Sequence, residues 1–143
     1  MELGTFGAIL TYALEFEDNV TAFFTEAAES AGQGEIGEVF AGLAKAGRKR
    51  LKALERTRRE NVAEMILEPI SDFQSEDYAC EATVSSGDAT TDLVTKALEL
   101  EGTAVAYYTV ASDKVSVPEV ARILKKMAEQ HVRQQATLTS LDV

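Results

Sequence analysis

Residues 13–24, ALEFEDNVTAFF, and residues 97–108, ALELEGTAVAYY, carry the reading of the fold. Around the first, Leu10, Ala13, Glu17, Val20, Phe24 and Ala27 recur at spacings of three and four; around the second, Val94, Ala97, Glu101, Ala104, Tyr108 and Ala111 do the same. That spacing is the seam of an amphipathic helix, and in both seams a glutamate stands where a core residue belongs. The two stretches also repeat one another. A shift of 84 residues lays Thr11, Ala13, Leu14, Glu15, Glu17, Ala22, Thr25 and Ala27 on identical residues and sets Phe23 and Phe24 on Tyr107 and Tyr108. The same shift sets Glu35 on Glu119, Ile36 on Val120, Leu43 on Met127, Ala44 on Ala128 and Leu54 on Leu138. One offset therefore serves two helix pairs built alike.

The partner helices have seams of their own. One runs Ile36, Phe40, Leu43, Gly47, Arg50 and Leu54; the other runs Val120, Leu124, Met127, His131, Gln134, Leu138 and Leu141. Helices are expected over about 6–30, 34–62, 89–113 and 117–141, with Gly32 and Gly34 breaking the chain between the first two. Ser116 and Glu119 read as a capping box with Pro118 in the first turn of the fourth. Short loops make each pair an antiparallel hairpin. Between the hairpins, residues 64–88 hold Pro69, Gly87, four acids from Asp72 to Glu81 and a Ser-rich end. A helix of about 25 residues spans ~35 Å, so this connector is long enough to run the length of the molecule and to set the second and third helices parallel. The expected fold is all-α: one four-helix bundle domain over residues 1–143, two similar hairpins joined by a long crossover.

Composition narrows the function. The chain has 143 residues, 24 acidic against 14 basic, a net charge of −10, one His, one Cys and no Trp. A lone cysteine makes neither an internal disulfide nor a Cys-rich zinc site. Glu15 and Glu17 interrupt the mildly apolar start, and no basic segment precedes it, so neither a signal peptide nor a membrane span is expected and a cytoplasmic location is. The acidic balance argues against nucleic acid, which needs local positive charge. Eight basic residues do cluster between Lys45 and Arg59, where the only acid is Glu55. A small anion or an acidic partner suits them, but the stronger reading is a solvated helix face, favoured by the helix dipole and partly neutralised by the acidic connector. No aromatics interleave with them to stack on bases.

The exceptions to apolar patterning fall at one level of all four helices: Glu17, then Gly47 and Arg50, then Glu101, then His131 and Gln134. A buried ionised group without a partner is costly, so these positions are expected to form one polar centre. A bundle that takes one Glu from each of two helices and a Glu-x-x-His pair from each of the others holds two carboxylate-bridged iron or manganese ions. In this respect the sequence resembles the rubrerythrin branch of the ferritin-like family over nearly its whole length. Glu17 with Val20 and Phe24, and Glu101 with Ala104 and Tyr108, fit that family's first and third helices. The segments from Val39 (VFAGLAKAGRKRLKALE) and from Ile123 (ILKKMAEQHVRQQATL) resemble its second and fourth, where the Glu-x-x-His ligands belong. There the chain departs from the pattern, with Gly47 and Arg50 in one motif and His131 and Gln134 in the other. The four cysteines of a rubredoxin module are also missing.

Two facing glutamates in a core need metal, protons or fixed cations to coexist. The leading expectation is a noncatalytic binding or structural protein without a metal cofactor, in which Arg50 and His131 supply the positive charge. The alternative is an iron- or manganese-dependent oxidoreductase with an altered site, Glu17, Glu101 and His131 holding a single ion and Gly47 leaving a gap for an external ligand. Tyr107, Tyr108, Phe23 and Phe24 read most simply as packing residues, although the resemblance implies that a Tyr beside the centre is often functional, and Cys80, among acids, reads as an unreactive thiol. Ile9, Phe16, Phe23 and Tyr107 lie off the seams, which together with the family's habit of pairing suggests a homodimer.

Overall fold

The four seams wind into four long helices among the described residues, which are 1–61 and 69–143 of a computed structural model: α1 Phe6–Ala31, α2 Glu35–Glu60, α3 Thr90–Lys114 and α4 Pro118–Thr139. The expected end of the second helix at 62 and the first part of the expected connector, 64–68, lie outside the described residues. Thr5 opens α1 from an extended backbone, its hydroxyl accepting from the Ala8 N–H at 3.1 Å. That satisfies one of the donors every helix start leaves free. Gly32 closes α1 at φ 74°, a conformation costly for a side-chain-bearing residue. The turn into α2 is tight enough that a Cβ on Gly37 would collide with the Gly32 carbonyl. Glu35 and Glu38 at the start of α2 and Arg58 and Arg59 at its end complement the helix dipole.

At α4 the expected capping box does not form. The helix starts at Pro118 with Val117 in the capping position and no side-chain cap, so Ser116 is one residue too far back to bond the first turn. The corresponding device appears instead at α3, where the Asp92 carboxylate accepts from the Ala89 N–H at 2.9 Å.

The helices pack most extensively as α1 on α2 and α3 on α4, with thinner α1–α3 and α2–α4 contacts joining the pairs. One cleft is lined by Gly34 and Gly37 at the start of α2, Thr90 at the start of α3 and Leu141 beyond the end of α4. The second and third helices therefore begin at the same end and run parallel. The chain must return the length of the molecule between them.

Its return path explains the apolar residues off the seams. Glu2 and Gln74 form an isolated antiparallel bridge, and Leu3 N–H donates to the Phe73 carbonyl at 2.9 Å, which places this part of the connector at the beginning of α1. A short 3₁₀ turn, Ser75–Tyr78, follows, with the Tyr12 hydroxyl donating to the Ser75 and Tyr78 carbonyls at 3.3 Å each. Cys80 to Val84 then lie along Asn19, Phe23 and Glu26 towards the other end of α1. Phe73 and Tyr78 cover the Tyr107 ring at centroid distances of 5.5 and 5.4 Å. As a result Ile9, Phe16, Phe23 and Tyr107 are at most 5% exposed within one chain, so the inference of a dimer from those residues loses its premise. No helix among the described residues is long and apolar enough to cross a membrane.

Candidate functional site

Glu17 on α1, Arg50 on α2, Glu101 on α3, and His131 and Gln134 on α4 all turn inward at one level, and none is more than 7% exposed. Their side chains close a ring. Arg50 Nε donates to Glu17 Oε1 at 2.8 Å, and Arg50 Nη1 donates to Gln134 Oε1 at 2.8 Å. The amide nitrogen of Gln134 donates to Glu101 Oε1 at 2.7 Å. The imidazole of His131 completes the circuit, Nδ1 at 2.6 Å from Glu101 Oε2 and Nε2 at 2.7 Å from Glu17 Oε2. Every helix contributes at least one member, so the ring ties both hairpins together at their middle.

The bonding pattern sets the charge. Each ring nitrogen of His131 faces a carboxylate oxygen, and only the doubly protonated imidazolium donates to both. Burial pushes the His131 pKa down, but the Glu17 charge and the hydrogen bonds to both carboxylates overcome it and bring it up to about 9. Burial likewise pushes Glu17 up, and the adjacent His131 and Arg50 cations more than reverse it, leaving its pKa below the ordinary carboxylate value. Two carboxylates, one guanidinium and one imidazolium sum to zero. The ring is a neutral assembly of four charges with one amide as linker.

Tyr108 belongs to the site and does more than pack. Its hydroxyl donates to Glu17 Oε2 at 2.7 Å, and its ring stacks on the His131 imidazole at 5.6 Å and 14°. Burial, the Glu17 charge and that hydrogen bond hold its pKa well above the phenol value, so it remains a donor. The 3.6-residue seam already put Tyr108 on the inner face; its role follows from being seven residues beyond Glu101 with a side chain long enough to reach back to the ring level. Tyr107 does pack as expected and also donates to the Ile9 carbonyl at 2.7 Å.

Gly47 does not leave the gap that was expected. A Cβ there would collide with Thr21 Oγ1, so the side-chain space of position 47 is filled from α1. Thr21, one turn beyond Glu17, is the residue that sequence reasoning missed. Positions 47 and 131 are equivalent under the 84-residue repeat, as are 50 and 134 and 17 and 101. His131 reaches both glutamates by itself, so its counterpart needs no side chain. Among the described residues, two buried polar atoms near this level have no partner: Thr21 Oγ1 and Arg50 Nη2.

The remaining candidates lie elsewhere. Cys80 is half-buried in the connector; burial first, and Glu99 after it, raises its pKa and holds it as a thiol. On α2, Lys45, Arg48, Lys49, Lys52, Arg56 and Arg59 are exposed. Among the described residues no connector acid pairs with them: Asp88 pairs with Lys96 and Glu76 with the chain's amino terminus. Glu15 and Glu99 face outward as their spacing requires.

Comparison of the chain with protein-family models, curated proteins and solved structures finds no match.

Proposed function

We propose that this chain is a ferritin-like bundle related to the rubrerythrin branch, in which a closed ring of salt bridges takes the place of two metal ions. It acts as a noncatalytic structural or binding protein. The observation that carries this reading is His131 bridging Glu17 and Glu101. An imidazolium that donates through both nitrogens keeps no lone pair for a metal. Arg50 adds a fixed positive charge at 2.8 Å from Glu17, which repels a cation from the same carboxylate. The residues present thus do not fit a two-metal centre: four of its six ligand positions hold Gly47, Arg50, His131 and Gln134, and that histidine is already bonded on both sides. A single ion on Glu17, Glu101 and His131 requires His131 to lose a proton and one carboxylate.

Metal analysis of the purified protein, produced in medium supplemented with iron or manganese, tests this directly. The expected content is far below one ion per chain; a stoichiometric ion lost on Glu101→Gln overturns the reading. Rebuilding a ligand set needs three changes, Thr21→Ala, Gly47→Glu and Arg50→His, because Thr21 blocks any side chain at 47. Uptake by the triple variant alone supports an ancestral metal centre converted into a charge ring.

A further inference from the structure

The charge of this acidic protein is unevenly placed. Twelve of its 14 Lys and Arg side chains lie on α2 and α4, with six acids, giving these helices a net +6 before the His131 imidazolium is added. The rest of the chain carries two cations and 18 acids, a net −16. α2 and α4 are neighbours across the thin contact between hairpins, and a cleft of about 290 Å³ opens between them. Lys49 on α2 and Lys126 on α4 stand on its opposite walls, both exposed and neither in an ion pair among the described residues. Ile123 and Met127 form an apolar wall. Arg50 and Gln130 complete the lining, so this cleft reaches the side of the buried ring.

Arg50 borders the cleft from the buried side: its Nη1, bonded to Gln134, meets Gln130 Oε1 only at 3.5 Å, at the limit of a hydrogen bond, and its Nη2 is buried without an acceptor among the described residues. We propose that the cleft binds an amphipathic organic monocarboxylate. Its head group lies between the Lys49 and Lys126 ammonium groups, and a short unbranched apolar body lies against Ile123 and Met127. Two ammonium groups on facing walls suit one carboxylate. The apolar wall gains from covering a hydrocarbon and gains nothing from a fully hydrated ion. The positive field of the two helices, set against the negative remainder, concentrates anions at this face.

Titration of the intact protein with octanoate, octanol and inorganic phosphate, followed by calorimetry and by amide chemical shifts, tests it. Octanoate is expected to bind and to shift the amide signals of Ile123 and Met127, with octanol and phosphate weaker by about tenfold or more. Lys49→Met and Lys126→Met change exposed side chains and should leave circular dichroism intact while weakening octanoate by a similar factor. Arg59→Met, on the same helix but away from the cleft, should leave binding unchanged. No octanoate binding, phosphate binding as tight as octanoate, or octanoate affinity indifferent to both lysine changes overturns the proposal.

Discussion

His131 concentrates the chemistry of this protein in one residue. Its folded pKa is raised from 6.5 to about 9, so its contribution to stability is complete below pH 6.5 and is lost as pH rises towards 9. Within that window the loss is at most about 1.4 kcal/mol per pH unit for one proton. Glu17 acts in the opposite sense: its pKa is lowered from 4.5, so its contribution is complete above pH 4.5 and disappears as pH falls through the folded value. Urea unfolding across pH 4 to 10 should therefore show a plateau near pH 5 to 6 that declines on both sides, and the imidazole carbon resonances should titrate near 9. A midpoint at 6.5 or below would show that His131 is neutral in the fold and that the ring is not charge-balanced. Removing one member also exposes the others. Glu17→Gln keeps the shape but turns an amide donor either towards Arg50 or towards His131 and Tyr108, according to which oxygen it replaces, and leaves excess positive charge inside. The expected cost is about 3–5 kcal/mol in denaturant unfolding. Tyr108→Phe removes one hydrogen bond to the same carboxylate and should cost less, about 1.5–3 kcal/mol.

At the scale of helices, the contact of α1 with α2 turns on Thr21 against Gly47. Exchanging glycine for alanine inside a helix ordinarily gains up to about 1 kcal/mol. Here the added methyl meets Thr21 Oγ1, so Gly47→Ala is expected to destabilise by about 1–3 kcal/mol through overpacking. Thr21→Ala removes the obstruction and a buried unpaired hydroxyl together; the double variant should recover the loss, and if it does not, the two positions are not coupled. This pair also shows where the sequence stops being legible. The seams reveal which face of each helix turns inward, because a polar residue among apolar ones at spacing three and four is visible in one chain. That spacing singles out Glu17, Arg50, Glu101, His131 and Gln134. Which side chain of a neighbouring helix fills the space over Gly47 is a matter of axial offset, and no periodicity within either helix records it. The connector is illegible for a related reason: residues 69–89 form no long helix, so Phe73 and Tyr78 carry no repeating signal of the face they cover. Their effect is substantial, since Phe73 is 2% exposed and stacks on Tyr107 at 16°. Phe73→Ala should cost about 3–5 kcal/mol, measured as a lowered urea midpoint.

For the whole molecule, the ring solves a problem that the internal repeat creates. Two hairpins with matching seams can pack with each other or each with a second copy of itself, and apolar contacts alone discriminate poorly between these pairings. The ring does discriminate. A hairpin of α1 and α2 on its own copy brings together two glutamates and two arginines with no imidazole bridge. A hairpin of α3 and α4 on its own copy brings two glutamates, two histidines and two glutamines with no fixed cation. Only the observed combination closes a circuit in which Glu17 and Glu101 share His131 while Arg50 and Gln134 link the other side. The net energy of such a buried network is small, because desolvation offsets most of the attraction. An all-apolar core, built by Glu17→Leu, Arg50→Met, Glu101→Leu, Tyr108→Phe, His131→Leu and Gln134→Leu together, is therefore expected to be as stable as the natural protein or up to about 4 kcal/mol more stable, although Glu17→Gln alone is costly. The loss should appear in specificity: light scattering should find mixed oligomers exchanging hairpins, and amide spectra should show more than one state. A single, uniquely folded species from that sixfold variant, with the same association state as the natural protein, would show that helix packing and the connector already determine the pairing and that the ring serves some other purpose.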